Sequence, residues 1–598
     1  MITLPEPLEQ LSAQDREILD GFLEPVTIAA ETRLFEAGES GDRCYLIDEG
    51  VVRLEVPFHE VDTDTTLGFV ESGEMLGELS LLDGSPRSAH ATAETAVEAR
   101  QLSRRGLERL REAHPTIAAT LLQVLARDVA RKLRATNERL VGHLRAESED
   151  PEVNRLVAAA VTAQAAFANW DEPRVDALLE ELATSMAARS EAFATATVEA
   201  THLGNVADKT FKNRFAALGV WEYLRGATGQ GTLGPASDDG VTELAAPVGV
   251  VVGLIPVTNP IATAIYKTLI ALKGRNSLIL SFHRVCLPLA AEFTDAVVEV
   301  LEGHGAPTEL VQSVRVRSSR DRTARLMAHD DVAFVLATGG PGMVRAAYRS
   351  GTPAIGVGPG NAPAWIAADA DLDHAAHSIV ASKSFDHGLI CGAEHNLVVD
   401  ATVESAFNAA LEAAGAAVLN ADEAARFREA AFTDNGGGFR PELMGQAANT
   451  IAAFLDIRRE HPIKVLVVPG EPDLDSPLTS EKMGPFLSSF TVQGDDEALT
   501  LARALLAKMG TGHTAIVHTA DDDRANRFAD LMPASRVLVN SPGSQGVCGL
   551  TSGLPPAFTL GCGTFGGTST TDNISWHHLT NTKRLATYRP LAVSEPVA

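Results

Sequence analysis

The chain has 598 residues, 45% of them hydrophobic, and its 50 Lys and Arg residues against 78 Asp and Glu residues give a net charge of −28. That length predicts several domains, about three or four by the usual domain size. The acidic balance argues against broad non-specific binding to nucleic acid. The five cysteines are far apart, odd in number and without metal-ligand spacing, which predicts free thiols, no metal site and a reducing compartment.

The amino terminus has neither a basic segment nor the apolar segment of a secretory signal, and the sequence shows no apolar run long enough to span a bilayer. We therefore expect a cytoplasmic protein that has no membrane partner.

Residues 1–148 begin with a helical pattern and continue as short strands from Arg33. A turn-rich stretch at residues 73–89 carries Glu78 and, nine residues later, Arg87. An arginine beside backbone N–H groups suits a single phosphate, and a nearby glutamate suits a ribose hydroxyl. The alternative is an ordinary β-roll in which these two side chains form a surface ion pair.

The stretch resembles the phosphate-binding cassette of cyclic-nucleotide-binding domains, and the resemblance covers most of residues 15–145. It implies a β-roll with flanking helices that binds cAMP as an effector, with cGMP or no nucleotide as alternatives. Glu78 would take the ribose 2′-hydroxyl, and Arg87 with Ser88 the cyclic phosphate. The full set of implied ligand residues is Gly77, Glu78, Leu79, Arg87, Ser88, Thr136 and Asn137.

A long helix from about residue 115 to residue 145 has one apolar stripe. It looks like the dimer helix of the bacterial catabolite-activator family, in which the polar pair at the Thr136 and Asn137 positions reaches the adenine. Thr136 could instead be a polar residue tolerated in a dimer stripe. No helix-turn-helix pattern follows in the sequence, which argues against a transcription factor.

The acidic residues 146–152 end this helix, and we expect a linker over residues 149–170. Ala-rich helices follow, and the basic run at residues 209–215 predicts a solvated helix face. From residue 171 onward, strand and helix patterns alternate, which predicts an α/β fold with a mostly parallel sheet.

Three predicted strands in this segment end in polar or glycine-rich residues. Residues 248–256 lead to Asn259, whose amide could stabilise a developing oxyanion or could be only a turn residue before proline. Residues 278–282 lead to His283. Residues 332–337 lead to a glycine-rich turn, which is either a phosphate-binding turn or a plain loop.

A lone cysteine, Cys391, follows a glycine and two apolar residues within residues 383–394. A cysteine at the end of a buried apolar turn can be a nucleophile if its thiolate is favoured. The alternative is a small buried hydrophobic residue, which is common for free cysteines.

Seven stretches in a fixed order resemble the CoA-acylating aldehyde dehydrogenases, including the aldehyde half of bifunctional alcohol/aldehyde dehydrogenases. The resemblance covers about residues 200–590 and implies NAD, coenzyme A and a small aldehyde. Because the sequence stops at Ala598, we expect no iron-dependent alcohol dehydrogenase half. The seven stretches are residues 255–260, 337–343, 355–361, 388–394, 480–485, 512–514 and 559–567.

This resemblance implies that Cys391 is the nucleophile and that Asn259 forms the oxyanion hole with the Cys391 backbone N–H. His513 would act on the CoA or acyl-transfer side, and Glu481 would hold the nicotinamide ribose. The implied cofactor-binding residues are Pro256, Thr258, Ser281, His283, Thr338, Gly339, Gly340 and Glu481.

The implied domain organisation is a cyclic-nucleotide-binding domain over residues 1–148 and a Rossmann-like NAD-binding domain over residues 171–362. A catalytic domain would follow over residues 363–548, and a C-terminal return or oligomerisation segment over residues 549–598. The family and the dimer stripe together predict a homo-oligomer, either a dimer or a tetramer.

Hydrolytic aldehyde dehydrogenases carry a glutamate that activates water, and the corresponding stretch here, residues 356–361, has no acid. We expect Glu394 to be structural rather than a substitute. An acyl-enzyme without such a base should survive water and wait for the CoA thiol.

The sequence thus predicts reversible, NAD-dependent, CoA-acylating aldehyde oxidation under cAMP control. The aldehyde stays open among acetaldehyde, propionaldehyde, succinate semialdehyde and sulfoacetaldehyde. The alternative is a cyclic-nucleotide-binding scaffold with an inactive dehydrogenase domain.

Overall fold

The computed structural model describes residues 11–56, 65–148, 150–237, 240–315, 319–432 and 439–588, without the side chains of residues 56, 65–68, 131 and 133–148. Two compact units divide the chain, Met1–Glu149 and Asp150–Ala598. Among the described residues, no helix combines the length and the apolar character needed to cross a membrane.

The described residues of the first unit form two four-stranded antiparallel sheets and four helices. Its elements are α1 Ala13–Asp20, β1 Glu24–Ile28, β2 Arg33–Phe35, β3 Arg43–Glu49, β4 Val52–Val56, β5 Thr65–Val70, β6 Met75–Leu76, α2 Glu78–Asp83, β7 His90–Ala93, β8 Val97–Ser103, α3 Arg104–Ala113 and α4 Pro115–Ser148. The strand orders are β1-β8-β3-β6 and β2-β7-β4-β5. This confirms the predicted β-roll with flanking helices.

The long helix α4 packs its first turns on the β-roll through one apolar stripe. Ile117, Leu121, Val124 and Leu125 are buried in a core cluster with strand residues such as Leu46. Their spacing of three and four residues explains why this segment is a helix. Thr136 and Asn137 lie on the same helix, but their side chains fall outside the described part of the structure.

The second unit is an α/β fold in which the two large sheets are wholly parallel. Its elements are α5 Pro151–Phe167, α6 Glu172–Ala188, α7 Ser190–Thr201, α8 Val206–Arg214, α9 Val220–Leu224, β9 Gly231–Thr232, β10 Val241–Pro247, β11 Val250–Ile255, α10 Pro260–Lys273, β12 Ser277–Phe282, α11 Leu287–Gly303, β13 Val311–Ser313, α12 Arg320–Met327, β14 Val332–Ala337, α13 Pro341–Arg349, β15 Ala354–Gly356, β16 Ala362–Ile366, α14 Leu372–Ser384, β17 Glu394–Asp400, α15 Glu404–Ala414, β18 Ala416–Val418, α16 Ala421–Ala431, α17 Ala448–Phe454, β19 Val465–Pro469, β20 Phe486–Val492, α18 Gly494–Lys508, β21 Gly512–His518, α19 Asp522–Leu531, β22 Ala534–Val539, α20 Gly543–Val547 and β23 Thr580–Ala586.

A five-stranded sheet has the order β13-β12-β11-β14-β15, and a seven-stranded sheet has the order β18-β19-β20-β17-β16-β21-β22. A small antiparallel sheet, β23-β10-β9, joins the last strand to β10. Strands β11 and β12 are buried along their whole length, as expected for a parallel sheet covered on both faces. The predicted mostly parallel α/β fold is confirmed.

The stretch predicted as a linker is instead largely the helix α5. Asp150 caps this helix by accepting hydrogen bonds from the backbone N–H groups of Glu152 and Val153. Leu156 and Val157 are buried in the same cluster as strand β11. Apolar residues at helical spacing therefore bind this segment to the five-stranded sheet, although its acidic start resembles a linker.

Candidate active site

A cavity of about 1060 Å³ lies where β11, β12 and β14 end. The carboxyl ends of parallel strands are the usual ligand-binding edge of an α/β sheet. Predicted site residues that line this cavity are Pro256, Thr258, Asn259, Ser281, His283, Thr338, Gly339, Gly340, Cys391 and Glu481. The structure therefore brings together every residue predicted for the dehydrogenase site except His513.

Cys391 sits half-buried on the cavity wall, at the end of a tightly packed loop. Gly360 packs against it so closely that a Cβ atom there would lie 1.9 Å from the Cys391 carbonyl oxygen. Burial, and then the charge of Glu481, raise the pKa of the Cys391 thiol well above its usual value. The resting residue is thus a thiol that must lose its proton before it can attack.

Among the described residues that line the cavity, Glu481 is the one with an acidic side chain. Its Oε1 atom accepts a hydrogen bond from the Gly360 N–H at 3.2 Å. Burial raises the pKa of Glu481 to about 7. A carboxyl group with that pKa can take up and release a proton near neutral pH.

Asn259 lies in the turn after β11 and precedes Pro260, the first residue of α10. Its Oδ1 atom accepts a hydrogen bond from the Lys212 Nζ atom, which fixes which end of the amide is oxygen. The Nδ2 atom lies 3.3 Å from the Thr258 hydroxyl oxygen, so one of its two N–H groups remains for a ligand in the cavity. This is the arrangement an oxyanion donor needs.

The prediction that the basic run on α8 is a solvated helix face is wrong, because Lys209 and Lys212 are only 3% and 4% exposed. Both ammonium groups contact Oδ2 of Asp386, which is itself fully buried. Sequence reasoning missed these residues because their partners lie far away in the chain. Their spacing of three on a helix that precedes the Asn259 turn was the one available signal.

His513 lies on β21, is fully buried and does not line the cavity. Its Nδ1 atom is 2.9 Å from the Thr514 hydroxyl oxygen. Burial, and then the nearby Arg536 charge, lower the pKa of His513 to about 3. The structure thus keeps His513 neutral and away from the residues that face the cavity.

The glycine-rich turn after β14 leaves open space for a phosphate. A Cβ atom added at Gly340 would meet no atom within 4 Å, and this residue precedes the N-terminus of α13. At the end of β12, Ser281 is buried and His283 is exposed. Arg284 and Arg320 line the same cavity.

The turn at residues 356–361 contains no acidic residue, and its Asn361 side chain forms hydrogen bonds within the fold. The Asn361 amide donates to the Thr479 and Leu505 carbonyl oxygens at 2.9 and 3.0 Å. Glu394 is fully buried, accepts from the Gly543 N–H at 2.8 Å and does not line the cavity. Both observations fit the sequence interpretation of these positions.

In the first unit, Arg87 is buried between the turn before α2 and strand β3. Its guanidinium group donates to the carbonyl oxygens of Gly77 at 3.0 Å and Arg43 at 2.8 Å, and it lies 4.2 Å from the Phe35 ring centroid. Gly77 has a φ of +80°, and a Cβ atom there would lie 2.3 Å from Arg87. Glycine is therefore required at this point of the cassette.

Glu78 does not form the surface ion pair with Arg87 that was the alternative. It is 5% exposed and accepts a hydrogen bond from Lys132 Nζ of α4 at 3.0 Å. Lys132 also pairs with Asp128 at 2.8 Å. Leu79 and Ser88 are exposed at the two ends of the cassette.

Comparison with known proteins identifies both units. The aldehyde dehydrogenase family model matches residues 127–432, and the cyclic nucleotide-binding domain model matches residues 25–114. The chain belongs to the aldehyde dehydrogenase family and carries a cyclic nucleotide-binding domain in its first unit.

Within that family, the similar proteins include an acetylating aldehyde dehydrogenase and a sulfoacetaldehyde dehydrogenase. The structure of an acetylating aldehyde dehydrogenase from Geobacillus thermoglucosidasius matches with a TM-score of 0.71 and 35% identity, over 74% of this chain and 98% of that one. The sulfoacetaldehyde dehydrogenase of an Acholeplasma species is 36% identical over 66% of this chain and 82% of its own length.

The bifunctional aldehyde-alcohol dehydrogenase AdhE of Escherichia coli K12 is 34% identical over 73% of this chain and 49% of its own length. The chain spans about half the length of the bifunctional curated relatives that it matches.

Proposed function

We propose that the chain is an NAD-dependent, CoA-acylating aldehyde dehydrogenase that works through a thioester on Cys391. The observation that carries this proposal is a single cavity that holds the Cys391 thiol, the Asn259 amide and the Glu481 carboxyl group. A nucleophile, an oxyanion donor and a proton acceptor are the minimum set for acyl chemistry at an aldehyde carbon.

The order of events follows from these groups. Glu481 takes the proton of the Cys391 thiol, and the thiolate sulfur forms a bond to the aldehyde carbon. The carbonyl oxygen becomes an oxyanion that accepts hydrogen bonds from Asn259 Nδ2 and from the Cys391 backbone N–H. Loss of hydride from that carbon leaves a thioester on Cys391.

Bound NAD would supply the hydride acceptor, and bound CoA would supply the thiol that takes the acyl group. The open space at Gly340 before α13 fits a nucleotide phosphate. Ser281 and His283 would lie beside the adenosine, and Glu481 would hold the nicotinamide ribose. The reaction would be reversible, because thiolate addition, hydride transfer and acyl transfer between two thiols can each run in either direction.

The preference for CoA over water follows from the cavity wall. Among the described lining residues, Glu481 is the acid, and the turn at residues 356–361 has none. Glu481 already carries the Cys391 proton when the acyl-enzyme forms, so it does not deprotonate water, and the acyl-enzyme persists until a more acidic thiol arrives.

A small uncharged aldehyde fits the cavity better than an anionic one. The described lining residues that follow Pro359 in the chain are mainly apolar and include no Lys or Arg, for example Leu389, Met483, Cys548, Phe558 and Leu560. A carboxylate or sulfonate group would be left without a charged partner there. Acetaldehyde or propionaldehyde is therefore proposed ahead of succinate semialdehyde and sulfoacetaldehyde.

Two cationic side chains, Arg284 and Arg320, line the end of the cavity proposed for the adenosine. The described lining residues include no carboxylate at that end. A carboxylate at this point favours the ribose hydroxyls of NAD, whereas an arginine accommodates the 2′-phosphate of NADP. NADP is therefore the second candidate cofactor.

The first unit is proposed to bind cAMP and to regulate the dehydrogenase. Support comes from the buried Arg87 and Glu78, which a cyclic phosphate and a ribose hydroxyl would engage. The protein is further proposed to be cytoplasmic, since its five cysteines are free thiols. It is proposed to be a homo-oligomer, since Leu585 lies 63% exposed on the edge strand β23.

The test is NADH formation from acetaldehyde, NAD and CoA, with Cys391→Ala as the control. The proposal requires turnover that depends on CoA and is absent from the variant. Turnover without CoA would identify a hydrolytic enzyme, and cAMP binding without any turnover would support the scaffold alternative.

A further inference from the structure

A buried ionic cluster, formed by Lys209, Lys212 and Asp386, joins the segments that carry the nucleophile and the oxyanion donor. The Asp386 carboxylate is fully buried and receives both ammonium groups on Oδ2, with Lys209 at 2.9 Å. Its Oδ1 atom accepts from the Asn205 N–H at 2.9 Å. Three charged groups are thus withdrawn from water next to the cavity.

The cluster holds the loop before Cys391 in an unusual conformation. Asp386, His387 and Gly388 all have positive φ angles, of 45°, 54° and 73°. Left-handed backbone is costly for residues other than glycine, so such residues persist only where surrounding contacts fix them. The Asp386 side chain supplies such contacts, and its backbone N–H donates to Asp208 Oδ2 at 2.8 Å.

The same two lysines also hold the turn that carries Asn259. Lys209 Nζ donates to the Thr258 carbonyl oxygen at 3.0 Å, and Lys212 Nζ donates to Asn259 Oδ1. Only the amide oxygen can accept from an ammonium group, so this bond turns the Asn259 N–H donors away from Lys212.

Burial strengthens the bonds of the cluster. The Lys212 ammonium group is 4% exposed, and a hydrogen bond to the Asn259 amide is stronger at a site shielded from water than in solvent. Burial opposes ionisation of Asp386, but the two ammonium groups hold the pKa of this carboxyl below its usual value. Burial and then the neighbouring Lys212 lower the pKa of Lys209 to about 8.

We propose that Lys212 is a positioning residue for the oxyanion site. Its ammonium group, fixed by Asp386, holds the Asn259 amide oxygen and so orients the Asn259 N–H groups toward the cavity. This inference rests on the proposed dehydrogenase function.

A double-mutant cycle between Lys212→Met and Asn259→Ala tests the proposal. Methionine keeps the length of the side chain but removes its charge and its hydrogen bonds. We expect Lys212→Met to lower kcat about 10- to 100-fold, the size of effect that a misplaced reactive group produces. The affinity for NADH, measured by fluorescence titration, should stay unchanged.

In the Asn259→Ala background, Lys212→Met should cost little further activity, because its effect passes through Asn259. A merely structural lysine would lower kcat by the same factor in both backgrounds, which would overturn the proposal. The matched control is Lys209→Met, which removes a lysine from the same helix and the same carboxylate but not from Asn259. Its loss of kcat should be smaller, and an equal loss would also overturn the proposal.

Should Lys212→Met not fold, Lys212→Gln is measured in the same cycle, because glutamine can still donate to an oxygen without carrying charge. Non-additivity with Asn259→Ala remains the expected result. A wild-type protein without NADH formation would overturn the proposed function and this inference together. An active wild type with additive losses would overturn this inference alone.

Discussion

The two ligand-binding regions of this chain are assembled in opposite ways. In the first unit, Gly77, Glu78 and Arg87 come from one short run, and Arg87 is fixed by carbonyl oxygens close to that run and on β3. In the second unit, Asn259 and Cys391 reach one cavity from different sheets, and the lysine and carboxylate that hold them are 174 residues apart. The contiguous motif carries its ligand residues in one run and is supported by Arg43 and Lys132, whereas the dispersed site uses buried charges to hold its separate segments together.

The largest effect expected is at the nucleophile. Cys391→Ser should lower kcat by about ten-thousand-fold or more, since removing a nucleophile commonly eliminates most of the catalysis. Steady-state NADH formation with acetaldehyde and CoA measures it. The matched control is Cys562→Ser, at a buried cysteine outside the cavity lining. An equal loss in the control would show that any cysteine change disrupts the fold.

The next effect concerns the oxyanion donor. Asn259→Ala should lower kcat about 100- to 1000-fold, the usual cost of losing one such donor. The KM for acetaldehyde should change little, because the lost hydrogen bond forms mainly after attack. A change confined to KM would contradict this role.

A third prediction asks whether the dispersed site depends on its buried charges. Asp386→Asn leaves two buried ammonium groups with no counter-charge, which should lower the free energy of unfolding by about 3 kcal/mol. Urea denaturation of the full chain measures this loss. Asp521→Asn, at the exposed cap of α19, serves as the control. If the two substitutions cost the same, the cluster does not lock the site.

The pH dependence should identify Glu481. Because the pKa of Glu481 is near 7, wild-type kcat/KM should rise with pH up to about 7 and then level, and Glu481→Gln should lose that rise.

The pH dependence of stability should have the opposite sign. Between pH 4.5, the ordinary pKa of a glutamate, and about pH 7, the folded protein keeps the Glu481 proton and the unfolded chain loses it. The free energy of unfolding should therefore fall as the pH rises through this range. Glu481→Gln should lack this decline in thermal denaturation.

The smallest effect expected lies in the contiguous motif. Arg87→Ala should weaken cAMP binding about 10- to 100-fold, the cost of a hydrogen bond to a charged group. Isothermal titration calorimetry measures it. Arg53→Ala, which removes a β4 arginine that is paired with Glu55 and Glu94, is the control. Equal losses in both variants would show that the cassette is not the nucleotide site.

These differences explain which site residues could be predicted from the sequence. Motif residues such as Cys391, Asn259 and Gly340 could be predicted because each lies in a short motif within a few residues of the start or the end of a strand. Lys212 could not, because a buried lysine and a solvated one give the same local pattern, and only the distant Asp386 distinguishes them. His513 shows the converse, since a residue within a matching stretch can point into the core rather than into the cavity.

The helix α5 illustrates the same limit at the level of the fold. Its acidic first residues resemble a linker, and only the strand β11 beneath it shows why Leu156 and Val157 are apolar. Parallel strands were easier to predict, because burial on both faces produces continuous apolar runs such as residues 250–255.

The central claim is that Cys391 carries an acyl group that only a thiol removes efficiently. Mass spectrometry of the wild-type protein incubated with acetaldehyde and NAD, before and after addition of CoA, tests it most directly. The account predicts an acetyl group on the peptide containing Cys391 that disappears on addition of CoA, with acetyl-CoA formed in equal amount. An unmodified Cys391, or an acetyl group that disappears equally fast in water alone, would contradict it.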